Sequence, residues 1–143
     1  MTHKPLIYIA QAYSYNPVRA WADVIRIAGY LTIHGFYPFS PILQNHLPAS
    51  MIPAMHGLKQ EFWYGFDLAF LARCDEMWVY RDRDSAWRDS KGVELEREFC
   101  RTHFIPTRDF YMGSFAGSEH PFDANRHAII DSSSVVPKAT QVK

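Results

Sequence analysis

Two carboxylates stand among apolar residues of predicted helices, where an unpaired charge is costly. Residues 90–103 have the spacing of an amphipathic helix, whose solvated face holds Glu94, Arg97, Glu98 and Arg101. Glu96 falls on the opposite face, in an arc formed by Val93, Leu95, Phe99 and Cys100. Because burying an ionised carboxylate without a partner is unfavourable, Glu96 is either a functional group or a side chain that reaches solvent or a buried arginine.

Asp67 occupies the same kind of position in the preceding predicted helix, residues 58–74. Apolar and aromatic side chains surround the axis of this helix, which predicts that it is buried or lies in a subunit interface. Asp67 falls between Trp63, Phe70 and Leu71. An aspartate there is either satisfied by a helix N-terminus or an arginine, or it is functional. Two such carboxylates on successive helices are suited to cleaving a bond at an anomeric carbon.

Alternating strand and helix patterns must position these carboxylates. Strands are predicted at residues 6–10, 36–41, 76–81 and 104–110. Besides the two helices above, a first helix is predicted from the Asn16–Pro17 cap to Gly35, whereas residues 42–57 are predicted to be a proline-punctuated connection. This order predicts an α/β fold, a flavodoxin- or Rossmann-like three-layer sandwich with a mostly parallel sheet of four to five strands.

The parallel sheet also predicts where a ligand binds. Open sheets of this kind bind ligands beyond the carboxyl ends of their strands. The loops after the first and third strands, "QAYSYN" and "DRDSAWRDSKG", are therefore expected to hold the site. Pro38 in the second strand favours a place at the edge of the sheet.

Composition excludes several classes of function. The chain has 143 residues, with 15 basic and 15 acidic side chains, and this balance argues against nucleic-acid or membrane-surface partners. No apolar run approaches the ~20 residues that span a bilayer, and no signal-peptide pattern is present, so a cytoplasmic protein is expected. Cys74 and Cys100 are interpreted as reduced core thiols. The histidines and cysteines lack metal-ligand spacing, so neither a metal nor a cofactor is expected.

Four segments carry a resemblance to a known family: "IYIAQAYS", "PFSPI" followed by "NH", "FDLAFLARCDEMWV" and "WRDSKGVELE". By their order and spacing over residues 5 to about 107, the chain resembles the nucleoside 2-deoxyribosyltransferase superfamily. That superfamily contains the transferases and the 2'-deoxynucleoside 5'-monophosphate N-glycosidases. The resemblance implies that Glu96 is the nucleophile, since it ends the pattern S/D-x-G-x-x-x-E. It also implies a tyrosine beside it, Tyr8, and a helix aspartate, Asp67, eight residues before Asp75.

The resemblance also implies substrate contacts. Ser90 and Gly92 lie in the nucleophile motif, at a position where the glycosidases use a serine to contact the 5'-phosphate. The transferases often place an aspartate there, and the neighbouring Asp89 keeps that option open. The glycine-rich first loop of the glycosidases is absent.

Further residues of the predicted loops are candidates for binding the base. Tyr13 and Trp87 could stack on it, and Asn45 and His46, which follow the second strand, could border the pocket. For each of them, packing or solvation is the alternative interpretation.

The resemblance implies N-glycosidic bond cleavage, or base exchange, on a (deoxy)nucleoside or nucleoside 5'-monophosphate. Hydrolase and transferase remain open, and the alternatives are a non-catalytic nucleotide-binding module of the same fold and an assembly protein. Residues 1–110 are expected to form the domain. Residues 111–143 are expected to be a partly flexible extension that could pack on a partner subunit. Ser114 or Ser118 could then contact the phosphate of a substrate bound in the partner's pocket. A homodimer or higher homo-oligomer is expected.

Overall fold

A computed structural model describes residues 4–81 and 89–111. The predictions for Trp87, Ser114, Ser118 and the C-terminal extension lie outside these residues. The elements in chain order are β1 (Leu6–Ala10), α1 (Pro17–Ile33), β2 (Tyr37–Phe39), α2 (Pro41–Met51), a 3-10 helix (Pro53–Gly57), α3 (Gln60–Leu71), β3 (Glu76–Arg81), α4 (Lys91–His103) and β4 (Thr107–Tyr111).

The four strands form one parallel sheet in the order β2-β1-β3-β4. Ile7 pairs with Pro38 on one side and with Glu76 on the other. The predicted α/β fold with a parallel sheet is therefore confirmed. So is the edge position of β2, where Pro38 lacks an N–H that a central strand would need.

The two faces of the sheet have separate cores. Ile7 and Ile9 point to one face and pack against Val24, Ile27 and Leu31 of α1. Tyr8 points to the other face, in a cluster with Leu71 at the end of α3 and with Val93 and Cys100 of α4. Because side chains alternate along a strand, Tyr8 is directed toward the helices that carry the two carboxylates.

Helix α1 begins and ends as the sequence predicts. The Asn16 side chain accepts a hydrogen bond from the Arg19 backbone N–H, at 3.1 Å, and Pro17 takes the first helical position. Gly35 follows the helix with a φ of +88°, which is in the left-handed region that favours glycine.

The prediction that residues 42–57 form an irregular connection is wrong, because α2 and the 3-10 helix occupy them. Ser40 caps α2 by accepting a hydrogen bond from the Leu43 N–H at 3.0 Å, and Pro41 takes its first position. Proline is favoured at that position, where its missing N–H would have no partner. Pro48 lies inside the helix, one turn before its end at Met51. No residue of α2 is buried, so this helix lies on the surface.

The side chains of helix α3 are less buried than its composition predicts. Of its twelve residues, only Leu71 is buried. Phe62 and Phe70 are 48% and 41% exposed, so the described residues leave part of the aromatic surface uncovered. No helix in residues 4–81 and 89–111 is long and apolar enough to cross a membrane.

Helix α4 follows the predicted wheel, with one exception. Val93, Glu96 and Cys100 are buried, whereas Glu94 lies in solvent. Leu95 is 40% exposed, so the buried arc is narrower than predicted.

A network of ion pairs fixes the start of α4 against the sheet. Asp109 of β4 is buried and accepts hydrogen bonds from Arg81 of β3, at 2.7 Å, and from Arg97 of α4, at 2.7 Å. Arg97 also donates to Asp89 at 2.6 Å. Asp89 immediately precedes Ser90, the N-cap of α4, so the network holds the segment through which α4 begins.

Asp109→Ala is expected to lower the free energy of unfolding by about 2–4 kcal/mol, because it leaves two partly buried guanidinium groups without this carboxylate. Chemical denaturation monitored by circular dichroism measures the change. The matched control is Glu98→Ala, which removes the exposed ion pair with Arg101 on the same helix and should cause no measurable loss. Equal losses from the two variants would contradict the role of the network.

Candidate functional site

A cavity of about 330 Å³ opens at the carboxyl end of β1. The end of β1 forms its base, and residues of α2, α3, α4 and the loop after β1 form its walls. This is the edge of the sheet that the parallel topology predicts for ligands. The volume suits a small organic molecule.

Tyr8 and Glu96 meet by a buried hydrogen bond at this cavity. Tyr8 is fully buried, and its hydroxyl donates to Oε2 of Glu96, which lines the cavity. Among the described residues, Glu96 therefore has a tyrosine and not an arginine as its hydrogen-bond partner. Burial, with the negative charge of Glu96, raises the pKa of Tyr8 far above its usual range. The Tyr8 hydroxyl thus keeps its proton and acts as a donor.

Burial governs the ionisation of both carboxylates. It raises the pKa of Glu96 to about 8, an effect that the Tyr8 hydrogen bond opposes and the charge of Asp67 reinforces. Asp67 lies on α3, lines the same cavity, and has its pKa raised by burial to about 7. The two carboxylates that stood out in the sequence therefore face one cavity, with a proton available to them near neutral pH.

Ser90 and Gly92 form the part of the cavity wall where α4 begins. The Ser90 side chain accepts a hydrogen bond from the Val93 N–H at 3.2 Å, so it caps the helix. Its own O–H is not used by this bond and can still be donated. A Cβ added at Gly92 would lie 3.7 Å from Tyr64 Cε1.

Tyr13 and His46 come together on the opposite wall. Tyr13 lies in the loop after β1 and His46 on α2, and the Tyr13 hydroxyl lies 2.7 Å from His46 Nδ1. The Trp21 ring stacks on the imidazole with 5.0 Å between ring centroids. Burial raises the pKa of Tyr13. This cluster joins the loop, α1 and α2 into one aromatic wall.

The remaining candidates lie elsewhere. Asp89 pairs with Arg97 and is not part of the cavity lining. Asp75 lies at the amino ends of the strands, where its carboxylate accepts from the Leu6 N–H at 2.7 Å. Trp87 lies outside the described residues.

Three side chains of the cavity carry a buried polar atom that has no hydrogen-bond partner in residues 4–81 and 89–111: Gln11 Oε1, Asn45 Nδ2 and the Tyr64 hydroxyl. Each such atom is costly to bury unless a ligand or solvent satisfies it. Sequence reasoning placed Asn45 near the pocket but missed Gln11 and Tyr64. For Gln11 a signal existed, since it is the first polar residue after a buried strand, at the predicted ligand edge.

The raised pKa of Glu96 makes a prediction about stability. Below pH ~4.5 the carboxyl is protonated in the folded and the unfolded state, so its burial has no pH-dependent effect. Between that pH and about 8 the unfolded chain loses the proton and the folded chain keeps it, so the free energy of unfolding falls as pH rises. Glu96→Gln has no proton to lose. It should exceed the wild type by about 2–4 kcal/mol above pH 8, and by much less near pH 4.5.

Denaturant unfolding at both pH values measures this difference, with the exposed Glu94→Gln on the same helix as control. A difference between Glu96→Gln and wild type that stays constant with pH would show that burial does not shift the Glu96 pKa.

Comparisons with known proteins agree with this fold. Residues 6–110 match the sequence profile of a family described as "Domain of unknown function (DUF1937)". A 2-deoxyribosyltransferase from Bacillus psychrosaccharolyticus aligns with 74% of this chain and 72% of its own, with 20% identity and a TM-score of 0.53. A 2-deoxyribosyltransferase from Leishmania mexicana aligns with 96% of this chain and 93% of its own, with 12% identity and a TM-score of 0.57.

A search of curated proteins finds no match to the sequence. The profile match covers most of the chain, and the solved structures show the same architecture. The chain therefore belongs to the family described as DUF1937, and it shares the fold of the two 2-deoxyribosyltransferases.

Proposed function

We propose that the protein cleaves the N-glycosidic bond of a (deoxy)nucleoside or nucleoside 5'-monophosphate, with Glu96 as the nucleophile and water or a second base as the acceptor. One observation carries the proposal: Glu96 is buried, bonded to Tyr8, and faces the same cavity as Asp67. The names of the two structural neighbours, both 2-deoxyribosyltransferases, support this class of substrate.

Glu96 is held so that one of its oxygens can react. The Tyr8 hydroxyl occupies Oε2, which leaves Oε1 to attack C1' of the sugar. The new bond joins Oε1 to C1' while the bond from C1' to the base nitrogen breaks, and its electron pair leaves with the base. The result is a glycosyl ester of Glu96. Holding the carboxylate on a buried tyrosine reduces the conformational freedom that it would lose on reaction.

Asp67 supplies and recovers the proton. Since its pKa is raised to about 7, much of it is protonated near neutral pH and can donate to the departing base nitrogen. In the second step the Asp67 carboxylate takes a proton from the attacking water or base. The new nucleophile then bonds to C1' and Glu96 is released as a carboxylate.

In the reactive state, one of the two carboxyl groups, Glu96 and Asp67, is ionised and the other is protonated. Glu96 must be a carboxylate and Asp67 an acid, whereas two charges in the cavity would repel and two protons would remove the nucleophile. Because the pKa of Glu96 lies above that of Asp67, the single proton resides more often on Glu96. The hydrogen bond from Tyr8 lowers the Glu96 pKa and so increases the share of molecules in the reactive arrangement.

Several other residues at the cavity would bind substrate. The Ser90 O–H and the backbone N–H groups of Lys91 and Gly92 lie at the start of α4, which favours sugar hydroxyl or phosphate oxygens. Tyr13 and His46 form a wall suited to the base, and Trp87 remains a candidate to stack on it. Asp89 acts on the site through Arg97, which holds the segment before Ser90.

We further propose that residues 1–110 form the catalytic domain and that the chain assembles as a homodimer or higher homo-oligomer. The family profile, which ends at residue 110, supports the domain. The half-exposed Phe62 and Phe70 on α3 support an interface, with residues 111–143 packing on the partner subunit.

The first test is release of base from a panel of deoxynucleosides and their 5'-monophosphates, with and without a second free base. Free base alone indicates a hydrolase, and a new nucleoside indicates a transferase. Glu96→Gln should lower kcat by about 1,000-fold or more, because it removes the nucleophile.

The control is Glu94→Gln, two residues earlier and exposed, which should retain the wild-type rate. If a nucleotide binds and stays intact, the protein is a binding module. Undiminished turnover by Glu96→Gln would refute the assignment of the nucleophile.

A second test uses the pH dependence of kcat/KM. The wild type should show a bell with its maximum between about pH 7 and 8, since Glu96 must lose a proton and Asp67 must keep one. Asp67→Asn should lose the alkaline limb, with a rate lower by about 10²–10⁴-fold. Its acid limb should remain, because Glu96 must still lose a proton.

Tyr8→Phe should move the acid limb to higher pH, because the hydrogen bond that lowers the Glu96 pKa is lost. An acid limb that stays in place or moves to lower pH in Tyr8→Phe would contradict the proposed role of Tyr8.

A further inference from the structure

Gln11 has an oriented amide at the base of the cavity. It is only 8% exposed and lies directly after β1. Its Nε2 donates to the Ala20 carbonyl oxygen of α1 at 3.1 Å. A carbonyl oxygen can only accept, so this bond fixes which end of the amide is which.

The other end of the amide is therefore an acceptor. Gln11 Oε1 is buried, has no hydrogen-bond partner in the described part of the chain, and belongs to a residue that lines the cavity. An acceptor in this position is satisfied by an O–H or N–H group of a ligand. A phosphate oxygen would instead place two acceptors against each other, which is unfavourable in a partly desolvated site.

The nearby start of α1 offsets this preference only weakly. Pro17 has no N–H, the Arg19 N–H is bonded to the Asn16 side chain, and the Ala20 N–H is bonded to the Asn16 carbonyl. Among the first four residues of α1, this leaves the Val18 N–H as the backbone donor that no described contact uses.

The charges of the cavity wall also disfavour an anion at Gln11. Among the described residues that line it, Lys91 alone carries a permanent positive charge, against the two carboxyl groups of Asp67 and Glu96. An anionic group placed at Gln11 would therefore find no compensating positive charge in the described wall beyond Lys91.

We propose that Gln11 is a specificity-determining residue whose Oε1 accepts a hydrogen bond from an uncharged hydroxyl or amino group of the substrate, and that this position disfavours an anion. The inference rests on the proposed function, because it assigns a recognition contact within the same cavity. The donor is a hydroxyl of the sugar or an amino group of the base, and these sources are separated by experiment.

The test measures kcat/KM for a deoxynucleoside that the protein turns over and for three analogues. One lacks the 5'-hydroxyl, one lacks the 3'-hydroxyl, and one lacks the exocyclic amino group of the base. The wild type should discriminate against one analogue by about 5- to 100-fold, because that analogue leaves Oε1 unpaired. In Gln11→Met, which has similar bulk and no acceptor, that discrimination should shrink to about 2-fold or less.

The comparison of ratios separates recognition from structure. Gln11→Met also removes the bond to Ala20, and any general disturbance lowers turnover of all four compounds together, so it cancels in the ratios. Gln60→Met is the matched control, since Gln60 lines the same cavity from the exposed first residue of α3, and it should keep the wild-type ratios.

The proposal is overturned if Gln11→Met keeps the wild-type ratio for every analogue. If the wild type releases no base from any compound, the proposed function fails separately. Calorimetric affinities of the same four compounds for wild type and Gln11→Met then test the contact, and equal affinity ratios in the two proteins, or no binding at all, overturn it.

Discussion

The buried hydrogen bond between Tyr8 and Glu96 is the interaction on which the rest of the site depends. It joins β1, a central strand of the sheet, to α4 through a carboxylate that has little access to water. The carboxylate needs a donor because its burial is unfavourable, and the strand supplies one because alternation along β1 directs Tyr8 to that face. The position of the Glu96 carboxylate is therefore set by the packing of the core and not by a surface loop.

The ion-pair network around Asp109 keeps α4 in the orientation that the Tyr8–Glu96 hydrogen bond requires. Asp109 receives guanidinium groups from β3 and from α4, and Arg97 connects it to Asp89 before the cap of α4. Arg97 follows Glu96 directly in the chain, so adjacent residues of one helix face different partners. Glu96 lines the cavity, and Arg97 donates a hydrogen bond to Asp109 of the edge strand β4. The rotation of the helix is fixed from both sides, which holds the carboxylate oriented without a ligand.

Sequence periodicity predicted the parts of this structure that repeat regularly and failed where local chemistry dominates. The burial of Glu96 followed from the 3.6-residue period of α4, although Leu95 showed that the buried arc is narrower than the wheel suggests. Helix α2 was missed because its prolines were interpreted as breaks. Pro41 in fact sits where the missing N–H is harmless, and Pro48 lies close enough to the end to be tolerated. Gln11 begins a loop that was expected to hold the site, but its role was not predicted, because the orientation of its amide depends on the Ala20 carbonyl, a contact between separate elements that no local pattern encodes.

The surface position of α2 has a consequence for how this site can change over time. The helix contributes Asn45 and His46 to the cavity but buries none of its residues in the core, whereas Glu96 and Tyr8 are themselves core residues. Substitutions on α2 can therefore alter the shape and polarity of one wall at small cost to folding, while those around Tyr8 disturb packing and chemistry together. The α2 wall of the cavity can therefore change with little effect on folding, while the Tyr8–Glu96 pair is constrained by the packing of the core.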